Sequence, residues 1–138
     1  MTRLLRCVVA PSPCILVALT AGCQEPLPSG LGGTWDYEAV FETTILEAEA
    51  RISRQDGDSI FGTFSDKNPD PETVAQYGNS FCIAGVVRGD HVTFAVSAPG
   101  IGIVHDGVRD AVGISGTCEA GVVDDEHTYP CTFNMTPR

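Results

Sequence analysis

Apolar and polar residues alternate with a period of two over much of the chain. From Trp35 to Phe41 every second residue is apolar, and the same alternation returns between Leu46 and Ile52. A period of two places alternate side chains on opposite faces of a β-strand. The pattern therefore predicts two strands, each with one apolar face and one mostly polar face.

A turn at Asp56-Gly57 follows the second strand and leaves two registers open for the third. A two-residue turn would bury Phe61 and Thr63, whereas a three-residue loop with a left-handed Gly57 would bury Ile60 and Phe64. A shift of one residue exchanges the two faces of a strand. We favour the second register because it buries more apolar surface.

The segment from Phe81 to Ala98 is the clearest hairpin in the chain. Glycine at the first central position of a Gly89-Asp90 turn suits the type II′ geometry. Centring the hairpin on that turn brings apolar residues together on one face. The predicted pairs on this face are Val87–Val92, Gly85–Phe94, Ile83–Val96 and Phe81–Ala98.

Three weaker alternating segments complete the predicted fold. They are Ile101–His105, ending at an Asp106-Gly107 turn, then Val112–Cys118 and Tyr129–Met135. No helix is predicted, and residues 66–80 are assigned to a loop. Closing about eight short strands into a barrel removes exposed strand edges. The prediction is an all-β domain, an up-and-down antiparallel barrel of about eight strands.

The first 23 residues have the organisation of an export signal. Arg3 and Arg6 precede an apolar stretch, Cys7–Leu19, which is too short to span a bilayer as a helix. The stretch ends in Leu19-Thr20-Ala21-Gly22-Cys23, and this segment resembles the signal of bacterial lipoproteins. The resemblance implies a cleaved signal helix and acylation of Cys23, with palmitate among the acyl chains. The alternative is an ordinary signal peptide with Cys23 merely nearby.

These features divide the chain into three parts. Residues 1–22 are the predicted signal peptide, residues 23–33 a flexible tether rich in proline and glycine, and residues 34–138 the barrel. The lipid on Cys23 would anchor the protein to a membrane. The expected location is the cell envelope, at the outer membrane or at the outer face of the cytoplasmic membrane.

The net charge of −10 restricts the classes of partner. An acidic surface repels the phosphates of nucleic acids, and no basic patch in the sequence offsets it. Nucleic-acid binding is therefore not expected. The acidity can keep the protein soluble beside a membrane or can capture a basic partner. We favour the first interpretation.

The cysteines remaining after signal removal and lipidation number three. Cys118 and Cys131 lie on the apolar faces of segments expected to be neighbouring strands, which predicts a disulfide that stabilises the fold by about 3 kcal/mol. The alternative is a pair of buried thiols. Cys82 lies on the opposite face of its strand and is expected to be a lone thiol.

The barrel domain resembles the small secreted barrels of the lipocalin and avidin type. Gly33-Thr34-Trp35 opens the first strand, and the segment Asp58–Phe64 forms a later one. The resemblance implies a cavity for a small apolar ligand. Trp35, Tyr37 and Phe94 are the candidate ligand-contacting residues. The alternative is an interior filled by its own side chains.

No combination of residues in the sequence has the spacing of a catalytic, cofactor or metal site. Asp66, Asn68 and Asp70 begin like a calcium-binding loop, but Pro71 stands where that loop needs glycine. The three histidines are assigned to separate turns or loops. We therefore expect no metal, no cofactor and no enzymatic activity.

Two hypotheses for the function follow. The first is a membrane-tethered barrel that binds a small apolar ligand. The second is an interaction or inhibitor module with a filled barrel, which docks an envelope protein through its acidic face or through loops 66–80 and 120–128.

Overall fold

Residues 30–138 are described by a computed structural model, in which the alternating segments form a closed antiparallel barrel. Each strand pairs with the next in the sequence, and the first pairs with the last. The all-β, eight-stranded up-and-down fold is confirmed. The strands are β1 Gly33–Val40, β2 Ile45–Asp56, β3 Ser59–Asp66, β4 Phe81–Arg88, β5 His91–Ala98, β6 Ile101–Arg109, β7 Ile114–Val122 and β8 Thr128–Pro137.

The hairpin formed by β4 and β5 has the predicted register. Val87 pairs with Val92 and Ile83 with Val96, and Gly89 in the turn has a φ of 62°. A positive φ is the backbone conformation that a type II′ turn requires at this position. Local turn chemistry and apolar pairing agree here, which is why the register could be predicted from this segment of the sequence.

The predicted face of β3 is confirmed, but the turn that leads to it is different. Ile60 and Phe64 are buried. Asp56 pairs with Ser59 across a two-residue turn, and the register of β2 shifts between Ile52 and Arg54. A bulge of this kind adds one residue to one strand and exchanges its faces. The bulge therefore turns Ile60 and Phe64 to the interior, as the predicted three-residue loop would have done.

Strand β6 is longer than predicted, and its extension corrects the assignment of His105 to a turn. The strand continues through Asp106 and Gly107, which pair with Thr117 and Gly116 of β7. A Cβ on Gly107 would come within 2.8 Å of the Phe133 ring. The glycine therefore makes room for an aromatic side chain inside the barrel and does not form a turn.

A short helix, α1, spans Pro71–Tyr77 in the segment that the sequence analysis assigned to a loop. Asp70 is its N-cap: the Thr73 N–H donates to Asp70 Oδ2 at 3.1 Å, and Pro71 occupies the first turn. No residue of α1 is buried. The helix therefore lacks the apolar stripe on which the periodicity analysis depends.

One end of the barrel is sealed by the chain that enters it. We call it the closed end, and it carries residues 30–32 and the turns at 57–58, 89–90 and 110–113. The Trp35 indole donates to the carbonyl of Leu31 at 2.9 Å, and Arg109 donates to the carbonyl of Gly30 at 3.1 Å. Leu31 is 1% exposed. The last residues of the predicted tether are thus part of the barrel, because they bury apolar surface against it.

The opposite end is less completely packed. We call it the open end, and it carries residues 41–44, the α1 segment 67–80, the turn at 99–100 and the loop 123–127. Inward-facing apolar residues at this end are only half-buried, among them Phe41, Leu46, Phe81 and Ile103. Helix α1 lies at this end, with the Tyr77 ring against Gly100.

The predicted disulfide between Cys118 and Cys131 is present and joins β7 to β8. Both half-cystines face the interior and are buried. The expectation that Cys82 is a lone thiol is wrong: Cys82 is disulfide-bonded, and no cysteine among the described residues is free.

Close approach of strands β6 and β7 makes Gly116 a sensitive position. A Cβ there would overlap the backbone carbonyl of Asp106, whereas a Cβ on Gly121 of the same strand meets nothing within 4 Å. Gly116→Ala is expected to lower the free energy of unfolding by about 2 kcal/mol or more, and Gly121→Ala to leave it nearly unchanged. Urea unfolding of both variants checks this, and equal stabilities would contradict it.

Candidate functional site

A layer of aromatic rings crosses the middle of the barrel. Phe94 stacks on His105 with the ring centroids 4.0 Å apart and the planes 6° from parallel. Phe133 meets His105 edge-on at 4.8 Å, and Tyr37 meets Phe64 edge-on at 4.9 Å. Offset stacked and edge-on arrangements are the favourable ones for aromatic pairs. The layer packs β1, β3, β5, β6 and β8 against one another.

His105 is the buried polar residue at the centre of this layer. Its Nδ1 lies 3.2 Å from the carbonyl oxygen of Phe94, and its Nε2 lies 2.7 Å from the hydroxyl of Tyr37. A carbonyl only accepts, so Nδ1 carries the hydrogen, and Nε2 accepts from the Tyr37 O–H. Both ring nitrogens therefore have a partner, as a buried imidazole requires.

Burial determines the charge of this pair. Desolvation lowers the pKa of His105 to about 4, although hydrogen bonds to backbone carbonyls, that of Phe94 first, oppose the shift. Desolvation also raises the pKa of Tyr37 well above its ordinary value. At neutral pH the aromatic layer, which forms the floor of the open end, therefore carries no charge. Its polar groups are those of the Tyr37–His105 pair.

Between this layer and the open end, the inward-facing residues are mostly small or apolar, and Asp66 at the rim is a charged exception. Ala39 and Ala48 are fully buried, Ala120 is half-buried, and the Cys118–Cys131 disulfide forms part of the wall. The half-buried Leu46, Phe81 and Ile103 stand nearer to solvent. The arrangement offers a small molecule apolar walls, an aromatic floor and one Tyr–His hydrogen bond.

The three predicted ligand-contacting residues do not lie together. Trp35 is at the closed end, where its indole holds Leu31. Tyr37 and Phe94 both contact His105 in the aromatic layer. The role of all three residues in ligand binding stays a prediction. In the structure, Trp35 helps to seal the closed end of the barrel.

The position of His105 at the centre of the site was not predicted from the sequence. The signal was available: Ile103, His105 and Gly107 continue the alternation of β6 in phase with its buried face. The Asp106-Gly107 dipeptide was interpreted as a turn, and this placed His105 at a strand end.

The residues that begin like a calcium loop have local structural tasks. The Asp66 carboxylate accepts from the Asn68 N–H at 2.8 Å, and Asp70 caps α1. Within residues 30–138, no group of three or more acidic, histidine or cysteine side chains is placed to hold a metal ion. In the same range, no helix has the length and hydropathy needed to cross a bilayer.

A concave feature lies on the outside of the barrel. Val40, Val104, Thr117 and Thr132 border an open depression, together with Glu42 and Glu119. Strand alternation turns these side chains outward, because their neighbours His105, Cys118 and Cys131 are buried. His105 of the aromatic layer also lines this depression.

Designed barrels share this fold. EF1p2_mFAP2b, solved bound to DFHBI, is 11% identical, with a TM-score of 0.59 over 78% of this chain and 94% of that chain. A de novo designed fluorescence-activating β-barrel is 13% identical, with a TM-score of 0.53 over 78% of this chain and 93% of that chain. No protein-family model and no curated protein matches this chain. At such identities the likeness shows the fold alone.

The buried imidazole predicts a specific loss of stability in acid. The unfolded chain protonates His105 below a pKa of about 6.5, but the folded barrel does so only near 4. Above pH 6.5 the neutral ring therefore makes its full contribution to the free energy of unfolding. This contribution is lost as the pH falls to 4, by up to about 3 kcal/mol.

Chemical unfolding between pH 7 and pH 4 measures this loss. His105→Gln keeps a donor and an acceptor but does not titrate, so its stability should fall less steeply. His127→Gln, at an exposed position in the loop 123–127, should retain the wild-type slope. Identical slopes for wild type and His105→Gln would show that His105 is not the group responsible.

Proposed function

We propose that the protein is a membrane-tethered envelope lipoprotein whose barrel binds a small apolar molecule through its open end. The observation that carries the binding proposal is the difference between the two ends. Leu31 and Trp35 seal one end, whereas Leu46 and Phe81 at the other are apolar, inward-facing and only half-buried. Apolar surface that a fold leaves partly exposed around a concave opening is typical of a ligand site.

The aromatic layer supports the same proposal. It fills the middle of the barrel and would keep a ligand near the open end. The designed barrel solved with DFHBI bound indicates that this architecture can accommodate a small molecule. The Tyr37 oxygen, whose hydrogen is donated to His105, can still accept a hydrogen bond from the ligand and is uncharged at neutral pH. We propose no enzymatic step.

The tethering proposal rests on the N-terminal sequence, which lies outside the described residues. Two arginines, an apolar stretch and the segment Leu19–Cys23 occur in the order that bacterial lipoprotein signals have. Dual or triple acylation of Cys23 would anchor the barrel stably, whereas one chain gives only reversible binding.

The binding proposal predicts different effects at two neighbouring positions. Leu46 faces the interior at the open end, and Ile45 beside it faces solvent and is 60% exposed. The purified full chain should bind N-phenyl-1-naphthylamine, an uncharged apolar probe that fluoresces in apolar sites. Leu46→Asp should weaken this binding about tenfold or more, because a carboxylate replaces apolar wall. Ile45→Asp should leave it unchanged.

Thermal unfolding of both variants controls for damage to the barrel. Equal loss of binding in the two variants, or no binding to the wild type, would contradict an internal site. The filled barrel that docks an envelope protein through its acidic loops would then be the better hypothesis.

The lipid anchor is tested at Cys23. Cells expressing the wild-type chain should carry it in the membrane fraction, with an N-terminal peptide whose mass includes acyl chains. Cys23→Ser should abolish that added mass and prevent cleavage before residue 23. A wild-type protein that is soluble and carries no acyl mass would overturn the tethering proposal.

A further inference from the structure

The charges of the two ends of the barrel differ strongly. The described residues 41–44, 67–80, 99–100 and 123–127 at the open end, together with Asp66 at the end of β3, hold seven carboxylates and one lysine. The carboxylates are Glu42, Asp66, Asp70, Glu72, Asp124, Asp125 and Glu126. The open end is therefore strongly negative around an apolar mouth.

The closed end lacks this excess. Its described residues 30–32, 56–59, 88–91, 109–113 and 138 hold three arginines and four aspartates. The negative charge of the described residues is therefore not spread evenly, and the field it creates is strongest at one end of the barrel. General solubility does not require such an asymmetry.

The one lysine of the open end is engaged on the outside of the barrel. Its ammonium donates to Asp36 Oδ1 at 2.9 Å, on the outer face of β1. No lysine or arginine among the described residues near the open end is thus left to meet an anion at the mouth. The other basic side chain there, His127, is exposed in the loop 123–127. His105, deeper in the interior, is uncharged at neutral pH.

One carboxylate belongs to the inward-facing row itself. Asp66 continues the row of Gly62 and Phe64 on β3, and it lies opposite the fully buried Ala48 of β2. It is half-buried at the rim. A ligand with its apolar part against Leu46 and Phe81 would hold a charged end group close to this carboxylate.

We propose that the ligand of the barrel is a small cationic amphiphile, an apolar amine whose ammonium group lies at the Asp66 rim and whose apolar part enters the open end. The inference rests on the proposed binding function and adds the charge of the ligand to it. The acidic end attracts cations over a distance of about 8 Å at physiological ionic strength. A carboxylate ligand of the same shape would approach seven like charges and meet no counter-charge.

A set of ten-carbon compounds with one tail and three end groups tests this. Decylammonium, decanol and decanoate are compared at pH 7.5 for displacement of N-phenyl-1-naphthylamine from the purified full chain, below their micellar concentrations. Decylammonium should displace the probe at concentrations about tenfold lower than decanoate, with decanol between them. Raising the salt concentration should shrink the difference, because the attraction is partly exposed to solvent.

Paired variants locate the effect. Asp66→Asn keeps an oxygen that can accept the Asn68 N–H, and it should weaken decylammonium about fivefold while leaving decanol unchanged. Asp58→Asn removes the same charge from a turn at the closed end and should change neither compound.

The outcomes separate the two proposals. Probe binding with equal displacement by the three compounds, or with decanoate the strongest, would overturn the cationic ligand and leave the binding function standing. A cation preference unchanged by Asp66→Asn would overturn the placement of the ammonium group at that residue. Failure of the probe and of all three compounds to bind would overturn both proposals.

Discussion

The pairing of β1 with β8 is the constraint on which the rest of this structure depends. Six residue pairs, from Trp35–Pro137 to Val40–Thr132, close a sheet that would otherwise have two free edges. The Arg138 N–H extends this seam to the Thr34 carbonyl, and its guanidinium contacts Asp36 and Glu49. These ion pairs are exposed and add little stability. Closure by backbone hydrogen bonds is what turns every apolar row inward.

Closure also explains why the two ends have different properties. The chain enters the barrel beside Trp35, so its first ordered residues can fold across that end and bury Leu31. The other end has only connections between strands, and its longest one forms α1 without burying any residue of that helix. The aromatic layer and the Tyr37–His105 hydrogen bond then separate a sealed half from an accessible half. A candidate site at one end follows from this topology.

Strand alternation was sufficient to predict the number of strands, the hairpin register of β4 and β5, and the disulfide, because each depends on neighbours in sequence or on a shared face. It failed where long-range packing overrides a local signal. Gly107 resembles a turn residue but accommodates Phe133 from β8, and this hid His105. Leu31 resembles part of a linker in the sequence, because it is buried only against the folded barrel. Helix α1 buries nothing, so only the Asp70-Pro71 cap indicated it.

Because Gly30 lies at the closed end, the proposed lipid anchor would determine how the site is oriented relative to the membrane. A lipid on Cys23 would be joined to the closed end by seven residues, which reach at most about 25 Å when fully extended. The closed end would then lie toward the bilayer, and the open end would face away from it. Anionic lipid head groups would repel the acidic open end and reinforce this orientation. A ligand would therefore reach the barrel from the aqueous side, which suits an amphiphile with a charged group better than a molecule confined to the membrane.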